Sequence, residues 1–488
     1  MRVTTAFCRL LRLEGVRVTS VRFDPDRVLV GVALRRRRLI CPCCSFSTRH
    51  RERVQAHESV WRHLDLGVWR LEIRATLRQL RCPEHGVHVE AVAFARHRAQ
   101  FTRDLEDLVA WLAARTDKTA ITRLVRIDWQ TVGRIISRVA DEQLDAGRLD
   151  DLFEIGIDEI AWRGGQRYLT LVTDHRRGKI VWGAEGRSAA VADAFFAELD
   201  PESVEPARAA TAEPAPAEAH IGPRASKLTA ISLDMGPGYA KSAREHAPQA
   251  IICIDPYHVV ALGNRALDEV RRDYWNALRT ADRLGDAKRF KDARWALLKN
   301  PADHTSGQAQ TLRKLKRAGG AVWRAYTLKE ALRAVFDHAL DALDVAILLD
   351  RFSSRAARSR LKAFVRLAKT IAKHRDGILS AATLKINNAR VEALNNKARL
   401  ITRRAYGFHS AHAALALIHL TCGPITLSLP QADRMNSPPI THGEPRIVRS
   451  DDLPPLDDRR GVDYETDGRG DDCPEDPFLV WLMRVGDH

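Results

Sequence analysis

The chain has few of the features that mark secreted and membrane proteins. It contains eight cysteines in 488 residues, which is too sparse for a disulfide scaffold. No run of about eighteen uncharged apolar residues occurs, and the first residues, MRVTTAFCRLLRLEGV, lack the apolar centre of a signal peptide. We therefore expect a cytoplasmic protein with no membrane partner, whose cysteines bind metal or remain free thiols.

Acidic residues are also in deficit. The 62 Asp and Glu residues are outnumbered by 78 Lys and Arg residues, which leaves a net charge of +16. A field of this size attracts polyanions, so nucleic acid is the leading partner, with a solvated basic surface or a ribosome-associated protein as the alternatives. The 45% hydrophobic content is sufficient for the cores of at least two domains.

Changes in composition and periodicity predict six consecutive segments. They are a small β-rich module in residues 1–95, a helix-turn-helix region in 100–149, the first part of an α/β core in 150–258, a helical insertion in 259–380, C-terminal core helices in 381–425, and an acidic, Pro-rich tail in 430–488. The tail and a Pro/Ala-rich stretch in residues 201–225 have too few large apolar groups to pack. We expect the tail to be disordered and the stretch to be a flexible insertion.

The core segment has a distinctive order of elements. Alternating apolar residues predict a three-stranded antiparallel meander between residues 152 and 183. A helix in 189–199, a strand in 228–233, a helix in 240–247 and a strand in 250–254 then follow. The order βββαβαβ indicates a mixed sheet flanked by helices.

Four metal-binding residues occur as two pairs in the first segment. Cys41 and Cys44 form a CxxC pair, and Cys82 and His85 form a CxxH pair further along the chain. Each three-residue step allows both ligands to face one ion, and two such pairs suit tetrahedral zinc. The alternative to a zinc site is that these residues are unrelated free thiols and a surface histidine. Cys43 is ambiguous, but its side chain should point away if Cys41 and Cys44 both bind.

The spacing of apolar residues in 118–139 predicts two short helices with a turn near Ile127-Asp128. The second helix would expose four polar residues suited to base edges and phosphates: Gln130, Thr131, Arg134 and Arg138. This pattern favours a DNA-binding helix-turn-helix, and an ordinary helical hairpin with a basic face is the alternative.

Three carboxylates are candidates for a catalytic metal site. Asp158 is placed near the end of the first core strand and Asp234 ends the strand LTAISLD, so neighbouring strands would bring them together. Glu392 lies on a helical face with Asn388, Asn395, Asn396 and Arg399. Carboxylates suit Mg²⁺ or Mn²⁺, and two such ions promote in-line phosphoryl transfer. Taken singly, each acid is more simply a helix cap or a surface ion pair.

Asp255 and His258, in the sequence DPYH after the next strand, are auxiliary candidates. His258 would orient Asp255 or contact DNA. The alternative is an aspartate that caps a helix beside a half-buried histidine.

These motifs resemble those of insertion-sequence transposases of the ISL type, a bacterial group of DDE transposases with an RNase H-like core. The resemblance covers roughly residues 30–425. It is carried by the CPCC and RCPEH pairs and by three longer motifs, GIDEIAWRGGQRYLTLVTD, LDMGPGYAKSAREHAPQAIICIDPYHVV and ARVEALNNKARLITRRAYGFHS.

The resemblance implies a zinc-binding module, a helix-turn-helix and a catalytic core with a helical insertion. Asp158, Asp234 and Glu392 then become the catalytic triad that holds two Mg²⁺ or Mn²⁺ ions. Asp255 and His258 match the C/DxxH signature of related transposases, so Asp255 competes with Asp234 for the role of second metal ligand. The implied activity is cleavage and strand transfer at terminal inverted repeats, by a nucleoid-associated homo-oligomer.

Two alternatives remain at this point. The chain departs from the family pattern at His85, where a cysteine is common, and in its core insertion and acidic tail. A regulator that binds DNA without cutting it is therefore the second hypothesis. A third is an RNA-directed nuclease, which would prefer RNA or a hybrid duplex.

Overall fold

The computed structural model describes residues 2–52, 57–201, 222–291, 293–337, 339–384, 386, 389–405, 407–427 and 429. All of them belong to the first of the two units of the chain, Met1–Asn436. Most of the predicted insertion, residues 202–221, and the whole predicted tail lie outside the described residues.

The N-terminal part is a helix followed by short strands. Its elements are α1 (Val3–Leu11), β1 (Val16–Phe23), β2 (Arg27–Leu34), β3 (Leu39–Ile40), β4 (Ser47–Thr48), β5 (His57–Arg62), β6 (Arg70–Leu77), β7 (Gln79–Cys82) and β8 (Gly86–Val89). Four strands form a sheet in the order β1-β2-β6-β5, while β3-β4 and β7-β8 are two-stranded hairpins. In β6 the buried residues Leu71, Ile73, Ala75 and Leu77 alternate with more exposed ones, as expected of a strand with one face on a core.

Three helices follow: α2 (Arg103–Ala113), α3 (Lys118–Val125) and α4 (Trp129–Gln143). Asp117 caps α3 by accepting a hydrogen bond from Ala120 N, and Asp128 caps α4 by accepting one from Thr131 N. Arg126 adopts a left-handed backbone (φ +57°) at the end of α3 and so ends that helix. Buried Ile121 and Val132 pack in the same cluster, which holds the two helices together.

The central sheet contains five strands in the order β11-β10-β9-β12-β13. Their bounds are β9 (Glu154–Arg163), β10 (Arg167–Asp174), β11 (Lys179–Glu185), β12 (Ala230–Leu233) and β13 (Ile251–Ile254). The first three pair antiparallel, which confirms the predicted meander, and β12 runs parallel to both β9 and β13. The chain thus has the mixed α/β architecture that the sequence predicts.

Helices surround this sheet. They are α5 (Ala189–Leu199), α6 (Pro237–His246), α7 (Pro256–Thr280), α8 (Leu284–Lys291), α9 (Ala293–Leu298), α10 (Ser306–Ala318), α11 (Gly320–Ala334), α12 (Ala342–Ala357), α13 (Lys362–Lys373), α14 (Arg375–Leu384), α15 (Ala389–Arg404) and α16 (Ala411–Cys422). One apolar cluster joins the sheet to α7 and α11 through Ile231, Leu267 and Leu332. In the described part of the chain, no helix combines the length and the apolar character that crossing a membrane requires.

Candidate functional site

The two predicted metal-binding pairs meet at the ends of the β3-β4 and β7-β8 hairpins. The ligand atoms of Cys41, Cys44, Cys82 and His85 all lie within 4.8 Å of one another. Cys82 Sγ is 3.6 Å from Cys44 Sγ and 3.6 Å from His85 Nδ1. Three sulfurs and one imidazole at this spacing fit a tetrahedral zinc ion.

The surroundings of this cluster favour the thiolate form of two of its three cysteines. Burial would raise the pKa of Cys41, but backbone N–H groups of Cys43 and Cys44 hydrogen bond to its sulfur and lower that pKa overall. The pKa of Cys82 is also lowered against burial, by the backbone and side chain of His85. The pKa of Cys44 is instead raised to about 11, because the lowering effect of the Phe46 backbone N–H group is outweighed by burial and by the neighbouring Cys82 and Cys41. Because the thiolate is the form that binds a metal, the backbone prepares Cys41 and Cys82, and the positive charge of an ion would favour ionisation of Cys44.

The predicted DNA-contact residues of α4 divide into two groups. Gln130 and Arg134 are exposed. Thr131 is buried, and its hydroxyl donates to the Asp128 carboxylate, so the prediction that it is exposed was wrong. Arg138 is half-buried and forms an ion pair with Glu106 of α2, so its guanidinium is already engaged within the protein.

A buried arginine connects the N-terminal part to the helices. Arg96 is 6% exposed and lies among three carboxylates, from Glu106 and Asp107 on α2 and Glu142 on α4. Arg62 of β5 donates to the carbonyls of Val125 and Arg126, at the end of α3. These contacts fix the first sheet against the helix-turn-helix.

Three aspartates occupy equivalent positions within or just after adjacent strands of the central sheet. Leu233 pairs with Ile157 of β9 on one side and with Ile254 of β13 on the other. The next residues along the three strands are Asp158, Asp234 and Asp255. We call this set the aspartate row.

The sequence predicted that Asp158 lies near the end of its strand, but the structure places it in the middle. It is the fifth residue of ten in β9, because the hairpin with β10 continues to the pair Arg163 and Arg167. The parallel partner β12 ends at Leu233, however, so Asp158 still lies at the edge where the parallel ladder stops.

The surroundings of Asp158 are polar and mostly buried. Its side chain is 18% exposed, and it accepts hydrogen bonds from Glu159 N, at 2.7 Å, and from Asn395 Nδ2 of α15. His258 Nε2 is 4.0 Å from Asp158 Oδ1 and 3.6 Å from Asp255 Oδ2. Burial raises the pKa of Asp158 to about 6, against lowering by the Glu159 N–H group, His258 and Arg399.

Glu392 lies in the first turn of α15 and is half-buried. The helix packs directly on β9, since a Cβ atom on Gly156 would lie 3.2 Å from Val391 Cγ2. Asp158, Asp234 and Glu392 do not form a set of three ligand atoms within 4.8 Å, as judged over the described residues. Asn388, which the sequence placed on the same helical face, lies outside the described residues.

Asp234 and Asp255 both have one oxygen engaged by the backbone. Asp234 Oδ1 accepts from Gly236 N at 2.6 Å, and Asp255 Oδ1 accepts from Tyr257 N at 2.9 Å at the start of α7. Burial and the nearby negative charge of Asp234 both raise the pKa of Glu159.

Sequence reasoning missed several residues of these sites. Arg96 and its partners Glu106 and Glu142 are separated by 10 and 46 positions, so no local pattern indicates their contact. His88 and His97 lie beside Cys43 in a second group of potential metal ligands. The histidine-rich stretch HGVHVEAVAFARHR was the available signal for that group.

A basic chain with a helix-turn-helix and an acidic sheet edge has the parts of an enzyme that acts on DNA. A transposase family model matches residues 155–418, and the model for the helix-turn-helix domain of transposase family ISL3 matches residues 90–140. The chain belongs to the ISL3 family of insertion-sequence transposases, and it is a DNA transposase.

Two curated relatives extend this similarity over most of the chain. The transposase for insertion sequence element IS1557 of Mycobacterium tuberculosis is 38% identical over 401 residues, which cover 78% of this chain and 85% of that protein. The transposase for insertion sequence element IS1001 of Bordetella parapertussis is 28% identical over 395 residues, which cover 79% and 89%.

Proposed function

We propose that this transposase binds the terminal inverted repeats of its insertion sequence and catalyses metal-dependent strand cleavage and strand transfer. Asp158, Asp234 and Glu392 are the proposed catalytic residues, and Asp255 with His258 is the auxiliary pair. The observation that carries this proposal is the aspartate row, with α15 packed beside it and Asn395 bonded to Asp158. An RNase H-like core is part of the proposal, and the strand order β11-β10-β9-β12-β13 supports it.

The residues around Asp158 suit a hard divalent cation. Asn395 is 1% exposed and its Oδ1 has no hydrogen-bond partner among the described residues, although its amide nitrogen donates to Asp158. A cation would stabilise this arrangement, because it would supply a partner for the buried Asn395 Oδ1 and favour the ionised form of Asp158, whose pKa is raised by burial. Asp158, Asp234 and Glu392 would hold Mg²⁺ or Mn²⁺ through their oxygens.

When bound, such ions activate a water or a 3′-hydroxyl and stabilise the leaving oxygen. The protein's own contribution is positional. Asn395 and the Glu159 N–H group hold the two oxygens of Asp158, and His258 Nε2 lies between the carboxylates of Asp158 and Asp255, at 4.0 and 3.6 Å. Arg399, whose charge lowers the pKa of Asp158, favours the ionised carboxylate needed for binding a cation.

DNA recognition is assigned to the front of the chain. We propose that Cys41, Cys44, Cys82 and His85 hold a structural zinc ion within a module of residues 1–95, which supports the helix-turn-helix of residues 100–149. Gln130 and Arg134 are the proposed DNA contacts, because both are exposed on the N-terminal half of α4. Thr131 and Arg138 are better explained as residues that stabilise the helices.

The remaining segments keep their predicted roles in this proposal. Residues 150–258 and 381–425 form the catalytic core, and 259–380 form the helical insertion between them. Since a transposition reaction joins two element ends, the working form is a homo-oligomer assembled on DNA.

The test is a cleavage and strand-transfer assay with the element's own terminal DNA and Mg²⁺ or Mn²⁺. Asp158→Asn, Asp234→Asn and Glu392→Gln should each abolish both reactions while end binding survives. Asp255→Asn should reduce the rate less than Asp234→Asn does. The matched control is Asp151→Asn, because Asp151 is an exposed carboxylate whose side chain is 70% exposed and paired with Lys227.

Other outcomes would favour the competing hypotheses. If the wild type binds the ends under all metal conditions but never cleaves them, the chain is a DNA-binding regulator. If it cleaves RNA or hybrid duplex in preference to DNA, the RNA-directed nuclease is correct. If Asp255→Asn abolishes cleavage and Asp234→Asn does not, Asp255 is the second metal ligand.

A further inference from the structure

We propose that Cys43, His88 and His97 form a second transition-metal site, distinct from the four-residue cluster. Their ligand atoms all lie within 4.8 Å of one another. The three residues come from separate segments: the loop between β3 and β4, strand β8, and the connection from β8 to α2. We call these three residues the outer triad.

Cys43 is chemically available for such a site. It lies between Cys41 and Cys44 but is exposed, whereas Cys41 is 3% exposed. Its backbone N–H points toward Cys41 Sγ, at 3.4 Å, while its own sulfur groups with the two histidines. The CxxC pair therefore directs the middle thiol outward, where it can act as a soft ligand.

His88 is held in an orientation suited to coordination. Its Nε2 lies 2.8 Å from the carbonyl oxygen of His85, so that Nε2 carries the proton and donates it. The tautomer then leaves the lone pair on Nδ1 for a metal, which is the usual arrangement of a metal-binding histidine. The rings of His88 and His97 meet edge to face, with centroids 6.0 Å apart and planes at 78°, so they are not stacked.

His97 lies in a turn that is anchored to the helical region. Ala99 N donates to Arg96 O at 3.1 Å, and Arg98 between them has a left-handed backbone with φ +58°. The preceding Arg96 is buried and paired with carboxylates from α2 and α4. Because the turn is fixed, His97 loses little conformational entropy on binding a metal.

The ligands of the outer triad indicate which ion would bind there and how readily it would exchange. One thiolate and two imidazoles suit Zn²⁺, with Co²⁺ as a spectroscopic substitute. Three protein ligands on an exposed surface leave a coordination position open to water. The outer triad should therefore exchange its metal faster than the four-residue cluster, which has four protein ligands and two buried cysteines, Cys41 and Cys82. Its occupancy would fasten the first metal-binding hairpin to the turn that leads into α2.

The experiment measures zinc content of the full chain after dialysis in excess Mg²⁺, which competes for oxygen-lined sites. We expect wild type to retain two zinc ions per chain, and Cys43→Ser and His97→Ala to retain one each. Cys8→Ser and His50→Ala are matched controls outside both clusters, and each should retain two. Circular dichroism confirms that the variants are folded.

Cobalt distinguishes the two sites. Titration of zinc-loaded protein with Co²⁺ should first replace the more exchangeable ion and produce a thiolate-to-cobalt absorption band. In Cys43→Ser this early band should be absent, and a band should develop only slowly, as the four-residue cluster exchanges its ion. The proposal is overturned if wild type retains a single ion, if His97→Ala retains two, or if Cys43→Ser loses the slowly exchanging ion instead. The readout is metal content, so it is independent of the proposed catalytic function.

Discussion

The four-residue cluster and the aspartate row, two of the candidate metal centres of this transposase, differ in how far the protein alone assembles them. In the four-residue cluster the ligand atoms of Cys41, Cys44, Cys82 and His85 already lie within 4.8 Å of one another. At the aspartate row no set of three carboxylate or imidazole ligand atoms is that close among the residues that the structure describes. The soft-ligand centre is compact, and the oxygen centre is open.

The difference follows from charge. Protonated thiols and a neutral imidazole can approach closely without repulsion, and backbone N–H groups stabilise them when they ionise. Carboxylates repel one another and resist burial, as the raised pKa of Asp158 shows. The oxygen ligands are therefore expected to converge only with a cation, which also keeps the proposed catalytic centre accessible to DNA.

The largest expected effect is the loss of the compact centre. Cys82→Ser, or treatment with a strong zinc chelator, should unfold the two small hairpins, because a structural zinc contributes on the order of 10 kcal/mol to such a module. End binding should be lost with them. Limited proteolysis should then cleave first within residues 1–95, and a mobility-shift assay should detect no complex with terminal DNA.

Cys8→Ser is the control, since Cys8 lies in α1 and is not part of either ligand group. If Cys82→Ser protein binds DNA ends with wild-type affinity and resists protease, the compact cluster has no structural role and the comparison fails.

At the open centre we expect a smaller change in stability, and substitution of Asp158 should stabilise the protein instead of destabilising it. Because burial raises the pKa of Asp158 to about 6, its protonated form contributes stability that is present below the unfolded-state pKa of 3.8 and is lost as the pH rises through about 6. Asp158→Asn should therefore stabilise the metal-free protein at pH 7 by on the order of 1–3 kcal/mol. Denaturant unfolding in EDTA measures this change.

The surface variant Asp151→Asn should change stability by less than about 0.5 kcal/mol. A destabilised Asp158→Asn protein would mean that the hydrogen bonds of the carboxylate outweigh the cost of its burial.

The sequence alone was sufficient for the local parts of this picture. The alternation of apolar residues predicted β9, β10 and β11, and the CxxC and CxxH spacings predicted the compact cluster. Helical spacing also predicted α3 and α4. Each of these patterns repeats over a few residues, so it is visible in a single sequence.

What the sequence could not indicate depends on distant contacts. The exposure of Thr131 was mispredicted because its hydroxyl turns inward and donates to the carboxylate of Asp128, the residue that caps α4. Arg138 was assigned to DNA, but its partner Glu106 is 32 positions away. The position of Asp158 at the edge of the parallel ladder depends on where β12 ends, which only the register between two separate strands reveals.

Asn395 tests whether α15 helps to organise the open centre. Asn395→Ala removes the N–H donor to Asp158 and should lower strand transfer about tenfold, since a hydrogen bond to a charged group contributes about 1.5–3 kcal/mol and water replaces part of it. Asn395 would act as a positioning residue, so the pH dependence of the strand-transfer rate should change too. The rise of the rate with pH should shift to higher pH, as Asp158 ionises less readily.

The matched control is Asn396→Ala, the adjacent exposed amide, which accepts from Arg399 instead. Equal losses in both variants would indicate that the helix, and not the bond to Asp158, accounts for the effect.

The smallest expected effect concerns His175, which follows β10 and lies against Gly156 of β9 and Ser232 of β12. Burial lowers the pKa of His175 to about 4, and its Nε2 is 2.8 Å from Ser232 Oγ of β12. The unfolded chain, with a histidine pKa near 6.5, binds the proton more readily, so the stability that neutral His175 provides is lost as the pH falls from about 6.5 toward 4. Between pH 7 and pH 6 this loss is below about 1 kcal/mol.

Unfolding free energies measured across that interval should fall less steeply in His175→Gln than in wild type. The control His50→Gln, at an exposed position, should keep the wild-type slope. An unchanged slope in His175→Gln would show that protonation of this histidine is equally favourable in the folded chain, and that the space around His175 is more hydrated than its packing indicates.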